Sequence, residues 1–169
     1  MKQRAVMISI QPHWCSLIFD DRKVDEVRKN KPNLKPPFKV YIYCSKKGDK
    51  YNLRRLYGKN DAREMPGRVC AEFTCSNFTY IQVRKEKEDG IHIGNTALLH
   101  TQLTDWELVR YLAGEDAINK ETFDVGGWAW HISSLNVYAE PKELSDFRCF
   151  DTGKRLVRPP QSWCYVREL

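Results

Sequence analysis

The chain alternates short apolar runs with clusters of proline, glycine and charge. Residues 5–10 predict a buried strand, and Pro12 then starts a helix in which Trp14, Leu17 and Ile18 share one face. Further strands are predicted over residues 23–29, 38–45, 128–138 and 158–166, and of these residues 38–45 are rich in β-branched and aromatic side chains. Residues 68–75 and 78–84 predict one bent strand or a hairpin with its corner at residues 76 and 77, and residues 141–147 predict a short helical turn. Strands therefore dominate the pattern.

The strongest helix signal covers residues 105–113. Thr104 and Glu107 have the spacing of a capping box, in which each side chain bonds the backbone N–H of the other residue, and Gly114 suits the end of the helix. We expect this helix to cover the sheet rather than to carry function.

Length and composition indicate one compact domain. A chain of 169 residues, of which 41% are hydrophobic and 12% aromatic, is long enough for one well-buried core and short for two. We therefore treat residues 1–169 as a single domain.

Charge and hydropathy limit the partners. The formal net charge of +6 favours an anionic partner, and nucleic acid is the first candidate. No apolar run approaches the ~20 residues of a membrane span, and the N-terminus lacks the long apolar core of a signal peptide. We expect a cytoplasmic protein that has no membrane partner.

The six cysteines are expected to be thiols in that compartment, and four of them lie in apolar or aromatic-flanked runs where a thiol packs as a small core residue. Cys70 and Cys75 could ligate zinc, but the pair lacks Cys-x2-Cys spacing, and strand alternation would place the two on opposite faces. We expect no metal and no cofactor.

Residues 46–67 form a basic segment with seven Lys or Arg side chains against three acids. Tyr51 and Tyr57 lie among these cations, which is a composition that can hold phosphates and stack on bases. A solvated insertion has the same composition, so both interpretations stay open.

Lys23, Glu26 and Arg28 follow the pattern Lys-x-x-Glu-x-Arg. This spacing can hold an ammonium, a carboxylate and a guanidinium within reach of one polar ligand. Alternatively, Glu26 and Arg28 lie two apart on one face of a solvated edge strand and merely pair with each other. Spacing alone favours this second interpretation.

The strand predicted at 128–138 places Trp128, Trp130 and Ile132 on one face and His131 on the other. We expect Trp130 to be a core residue. His131 has no serine or cysteine partner at a recognisable spacing, so the sequence predicts no catalytic triad.

The order of these motifs resembles the ASCH domain of the PUA-like superfamily, in the form found in phage and prophage proteins. The resemblance spans nearly the whole chain. It rests on Lys-x-x-Glu-x-Arg within residues 22–29, on the terminal Pro-Pro-Gln-Ser-Trp at 159–163, and on residues 9–12, 40–43, 67–73, 130–133 and 141–144.

The resemblance implies an α+β fold, in which a curved mixed β-sheet closes into a small pseudo-barrel flanked by a few helices. It also implies a cleft beside the first helix, lined by Lys23, Glu26 and Arg28, which reverses the preference for a solvated strand. Lys29 flanks these residues, and Gln161 and Ser162 are lower-ranked ligand contacts. The basic segment is longer than a minimal ASCH core needs.

RNA or a nucleotide-like ligand is the partner that the resemblance implies. Lys23 and Arg28 would bind phosphates, while Glu26 would accept a base-edge amino group.

Some ASCH proteins are instead similar to small amidohydrolases that deacylate acylated cytosine nucleosides, and others to ribonucleases. In such an enzyme Lys23 and Glu26 would be the catalytic residues, provided that burial lowers the pKa of Lys23 towards neutrality. The amidohydrolase pattern has a threonine where this chain has Glu26. We therefore expect an RNA-binding module, with the hydrolase as the alternative.

Overall fold

The computed structural model describes residues 4–46, 65–95 and 100–168, so residues 47–64 of the basic segment lie outside the described residues. The strands are β1 (Ala5–Ile10), β2 (Asp25–Arg28), β3 (Phe38–Cys44), β4 (Val69–Glu86), β5 (Gly90–Gly94), β6 (Phe123–Lys142), β7 (Phe147–Cys149) and β8 (Trp163–Glu168). The helices are α1 (Pro12–Phe19) and α2 (Asp105–Ala113), with short 3-10 turns at Glu115–Asn119 and Leu144–Asp146. No described helix is long and apolar enough to cross a membrane.

The strands form one mixed sheet in the order β2-β6-β4-β3-β1-β8-β7, with β5 paired to β4. β1 and β3 run parallel, and the other pairs run antiparallel. The predicted mixed sheet with flanking helices is confirmed, but the predicted closure into a pseudo-barrel is wrong for the described residues. A barrel requires its two end strands to bond to each other. Here the short end strands β2 and β7 pair with β6 and β8 instead.

β4 and β6 are long because each bends and continues. Register shifts interrupt their pairing near Val69, Glu72 and Cys75, and such bulges bend a strand without ending it. The bent-strand form of the prediction for residues 68–84 is therefore confirmed. The shift after Val69 also corrects the prediction that Cys70 and Cys75 face opposite sides, because both pack in the same core.

Two apolar clusters position the elements around β2. Side chains of β1 and β3 such as Ile8 and Ile42 pack beneath α1, through Cys15 and Ile18. On the other side of the sheet, α2 packs through apolar side chains on β2, β4 and β6; this cluster includes Leu108, Val109, Leu112, Val27, Ile81, Val83 and Ala129.

The predicted helix over 105–113 is confirmed together with its cap. The Thr104 hydroxyl accepts the Glu107 N–H at 3.2 Å, and the Glu107 carboxylate accepts the Thr104 N–H at 2.9 Å. The helix ends at Gly114, where φ is +98° and a side chain would be strained. The capping box and Gly114 thereby set where α2 begins and ends.

Candidate ligand-binding cleft

A cleft with a volume of about 1190 Å³ lies between α1, β2 and α2. Its walls include Gln11 and Trp14 from the α1 region and Glu107 and Tyr111 from α2. The six residues that the sequence predicts as ligand contacts all line it: Lys23, Glu26, Arg28, Lys29, Gln161 and Ser162. Their contact with a ligand stays a prediction.

Lys23, Glu26 and Arg28 form a buried ion chain. Lys23 Nζ lies 3.3 Å from one Glu26 carboxylate oxygen, and Arg28 Nη2 lies 2.9 Å from the other. The three residues are 2%, 7% and 8% exposed. Glu26 and Arg28 do pair, as the edge-strand alternative expected, but the residues are buried rather than solvated.

The three donors of the Lys23 ammonium are all engaged within the protein. The ammonium donates to the backbone oxygens of Asp25 and Thr101, each at 2.7 Å, and faces Glu26. These three contacts match the three donors of an ammonium. Burial lowers the pKa of Lys23, although the Glu26 carboxylate opposes the shift. Lys23 therefore ties the segment at Thr101 to β2 and holds one oxygen of Glu26.

Arg28 retains donors. Its Nη2 group donates to the backbone oxygen of Ser9 at 2.6 Å and to Glu26, whereas its Nε–H is buried without a hydrogen-bond partner among the described residues. Tyr111 lies beside this guanidinium. Burial raises the pKa of Tyr111, and the positive charge of Arg28 works against that shift. An arginine presents five N–H donors, so Arg28 is the member of the chain with capacity for a ligand.

The predicted Gln161 and Ser162 are brought to the cleft by the end of β1. The Ser9 hydroxyl donates to the Pro160 oxygen at 2.6 Å, and the Ser9 N–H donates to the Ser162 oxygen at 2.9 Å. These bonds hold the segment before β8 against the wall that carries Arg28. Gln161 is exposed and Ser162 is half-buried.

Exposed cations lie around the ion chain. Lys29 and Lys46 line the cleft and are exposed. The Lys29 ammonium lies 5.9 Å from the ring centre of Tyr111. Arg110 also lines the cleft, but Glu115 already binds its guanidinium through both carboxylate oxygens. Lys29 and Lys46 are therefore the cations best placed to meet an anion at the cleft.

His131 has partners that sequence spacing did not reveal. Its Nδ1 contacts the Asp25 carboxylate, and its Nε2 lies 2.7 Å from the Thr79 hydroxyl. The other oxygen of Asp25 accepts the His100 N–H at 2.7 Å. Asp25 and His131 are direct cross-strand partners on β2 and β6. These residues are far apart in sequence, so strand register would have been the only signal.

The described residues contain no group of three or more His, Cys, Asp or Glu side chains placed to hold a metal ion. What the cleft offers is a guanidinium, a carboxylate, aromatic rings and ammonium groups. Such a set suits an organic anion that also carries amino groups and a flat ring.

No protein-family model matches the chain, and no curated protein matches its sequence. Solved structures match its fold. ASCH from Zymomonas mobilis is 15% identical over 96% of this chain and 87% of its own, with a TM-score of 0.58. A tyrosine-to-phenylalanine mutant of that protein is 14% identical over 98% of this chain and 91% of its own, with a TM-score of 0.59. A serine-to-alanine mutant of the same protein is 13% identical over 96% of this chain and 88% of its own, with a TM-score of 0.60.

The chain has the ASCH fold. At this level of identity the likeness concerns the path of the backbone, and it confirms the α+β ASCH fold that the resemblance implied. The aligned region covers 96% to 98% of this chain.

Proposed function

We propose that this ASCH-fold chain binds RNA, or a nucleotide-like ligand, in the cleft, with Arg28 as its central contact. The observation that carries the proposal is the state of Arg28, whose guanidinium is held by Glu26 and Ser9 yet keeps a buried donor that has no partner among the described residues. An unpaired buried donor costs about 1–3 kcal/mol, and an acceptor on a ligand would relieve that cost. Phosphate oxygens are suitable acceptors for a guanidinium.

Each remaining group has a role in this proposal. Lys29 and Lys46 attract the phosphate backbone to the cleft. Glu26 keeps lone pairs beyond those used by Lys23 and Arg28, and these can accept a base-edge amino group. Lys23 is a positioning residue, because its donors are already engaged and it acts by orienting Glu26.

The test is fluorescence anisotropy with a labelled single-stranded RNA of about twelve nucleotides, repeated across a salt series. The double variant Lys29→Ala/Lys46→Ala should bind more weakly, and its salt slope should fall by about 0.7 for each phosphate that the variant no longer neutralises. Lys87→Ala is the matched control, because Lys87 is 73% exposed, pairs with Glu121 and does not line the cleft. Equal binding by the double variant and the control would contradict the proposal.

Hydrolysis is the second candidate function, and one observation favours it. Burial lowers the pKa of Lys23, which is what a lysine needs in order to act as a general base. An acylated cytidine and the labelled RNA should be incubated with wild type and with Lys23→Met, and the products separated by chromatography. Turnover by wild type that Lys23→Met loses while it remains folded would support the enzyme. If both substrates stay intact while RNA binding is saturable, the hydrolase is contradicted and the binding function is supported.

A further inference from the structure

Three aromatic side chains form a strip on the sheet next to the cleft; we call Phe78, Tyr80 and Trp128 the aromatic strip. The ring centres of Tyr80 and Trp128 are 5.1 Å apart, and those of Phe78 and Trp128 are 6.4 Å apart. Tyr80 is 45% exposed, and the other two are half-buried. Part of this apolar surface, mainly the Tyr80 ring, is therefore open to solvent.

Strand register joins this strip to the cleft. Arg28 on β2 lies directly opposite Trp128 on β6, and Trp128 lies directly opposite Tyr80 on β4. Residues that oppose each other in antiparallel strands point to the same face. The strip therefore continues the row that begins with the central cation of the cleft.

A lysine accompanies the rings. The Lys31 ammonium lies 4.7 Å from the ring centre of Trp128 and 5.2 Å from that of Phe78, and the residue is exposed. Lys31 therefore places an exposed positive charge beside the rings of Phe78 and Trp128. Aromatic rings interleaved with cations are the combination that binds single strands of nucleic acid.

Gly126 leaves room for the Tyr80 ring. A Cβ atom at Gly126 would lie 2.1 Å from the Tyr80 hydroxyl oxygen, so any other residue would displace the ring. The ring therefore lies across β6 above the glycine. A ring held in one place loses less conformational freedom when a base stacks on it.

We propose that the aromatic strip is a stacking surface for unpaired bases of a single-stranded nucleic acid whose neighbouring nucleotide occupies the cleft. This inference rests on the proposed function and adds that the ligand is a single strand long enough to reach beyond Arg28. Paired bases would not fit, because a duplex keeps its base faces stacked inside. The positive charge of Arg28 and Lys31 beside the rings favours this polyanion over an uncharged apolar partner.

The test compares two RNA lengths. Tyr80→Ala should weaken binding of a single strand of about twelve nucleotides on the order of ten-fold, and binding of one of about four nucleotides less than two-fold. Tyr80→Phe keeps the ring and should bind both as wild type does. Trp106→Ala is the control, since Trp106 is 44% exposed on α2 and should have no effect.

Charge is tested separately at Lys31. Lys31→Ala should lower the salt slope for the longer strand by the amount expected for about one neutralised phosphate, while Lys31→Arg should restore it.

The outcomes separate this inference from the function on which it rests. Loss of long-strand binding in the cleft variants, with wild-type binding by Tyr80→Ala, would overturn the stacking surface and keep the cleft. An equal loss of both lengths in Tyr80→Ala, or an equal effect of Trp106→Ala, would also overturn it. If wild type binds neither length of RNA, both the proposed function and the stacking surface are contradicted.

Discussion

β2 contributes side chains to two separate sets of polar contacts, which we call the ion chain and the second chain. The contrast between them shows that one short strand can line the cleft on one face and be held to its neighbours on the other. Glu26 and Arg28 belong to the ion chain with Lys23, which lines the cleft. Asp25 points the other way to His131, which in turn meets Thr79. The two sets alternate along the strand because successive side chains face opposite sides of a sheet.

The two chains differ in charge balance. The ion chain contains two cations and one carboxylate in a buried setting, so it leaves an excess positive charge beside the cleft. In the second chain the Asp25 carboxylate contacts the His131 imidazole and accepts the His100 N–H, and the imidazole in turn contacts the Thr79 hydroxyl. We infer that the first chain prepares the cleft for an anion, while the second fixes β2 to β6 and to the segment at His100.

The largest expected effect is that of Glu26→Gln. This change removes the carboxylate that lies between the ammonium of Lys23 and the guanidinium of Arg28. Breaking a buried ion pair from one side costs about 3–5 kcal/mol. The free energy of unfolding, measured in urea, should fall by that amount.

Glu115→Gln is the control for that measurement, because it removes a carboxylate from the exposed pair with Arg110. An exposed pair contributes about 0–1 kcal/mol. If the two variants lose the same stability, the ion chain does not stabilise the fold in the way described.

Asp25→Asn should have an intermediate effect and should sharpen the comparison. The carboxylate of Asp25 accepts the His100 N–H and contacts His131, and a neutral amide cannot satisfy both in the same way. A loss of about 1–3 kcal/mol in urea unfolding is expected. RNA affinity should change less than about two-fold, because Asp25 does not line the cleft. A large loss of affinity in a folded Asp25→Asn protein would show that the two chains are coupled.

The smallest expected effect is a difference in pH dependence. Burial lowers the pKa of Lys23 below its ordinary value of 10.5, so the folded protein releases this proton at a lower pH than the unfolded chain does. Between those two pKa values the unfolded chain binds more protons, and stability therefore rises with pH. The free energy of unfolding of wild type, relative to Lys23→Met, should increase as the pH rises towards 10.5, the ordinary pKa of the lysine side chain. A constant or falling difference would mean that the pKa of Lys23 is not lowered.

The ion chain could be anticipated from sequence, because its members lie within six consecutive positions and follow the pattern Lys-x-x-Glu-x-Arg. The burial of these residues could not be anticipated, because the pattern Lys-x-x-Glu-x-Arg also fits a solvated edge strand. Burial depends on Trp14 and Thr101, which other segments bring to Lys23.

The contacts of the second chain and the neighbours in the aromatic strip were not predicted from sequence, because both depend on strand register. Asp25, Thr79 and His131 meet only through the pairing of β2, β4 and β6, and bulges in β4 shift that register by amounts that the sequence does not state. The same bulges place Cys70 in the same core as Cys75, whereas simple strand alternation predicted opposite faces for the two residues. Local helix signals had no such dependence, so the capped helix α2 was predicted to the residue.

The most direct test of the account is the affinity of Arg28→Lys for the single-stranded RNA of about twelve nucleotides, with Arg84→Lys as a control on an exposed arginine. Lysine keeps the charge but lacks the planar fork and the additional donors. If Arg28 is the central contact, affinity should fall on the order of ten-fold in Arg28→Lys and stay unchanged in Arg84→Lys. Wild-type affinity in a folded Arg28→Lys protein would contradict the claim that the cleft binds its ligand through this guanidinium.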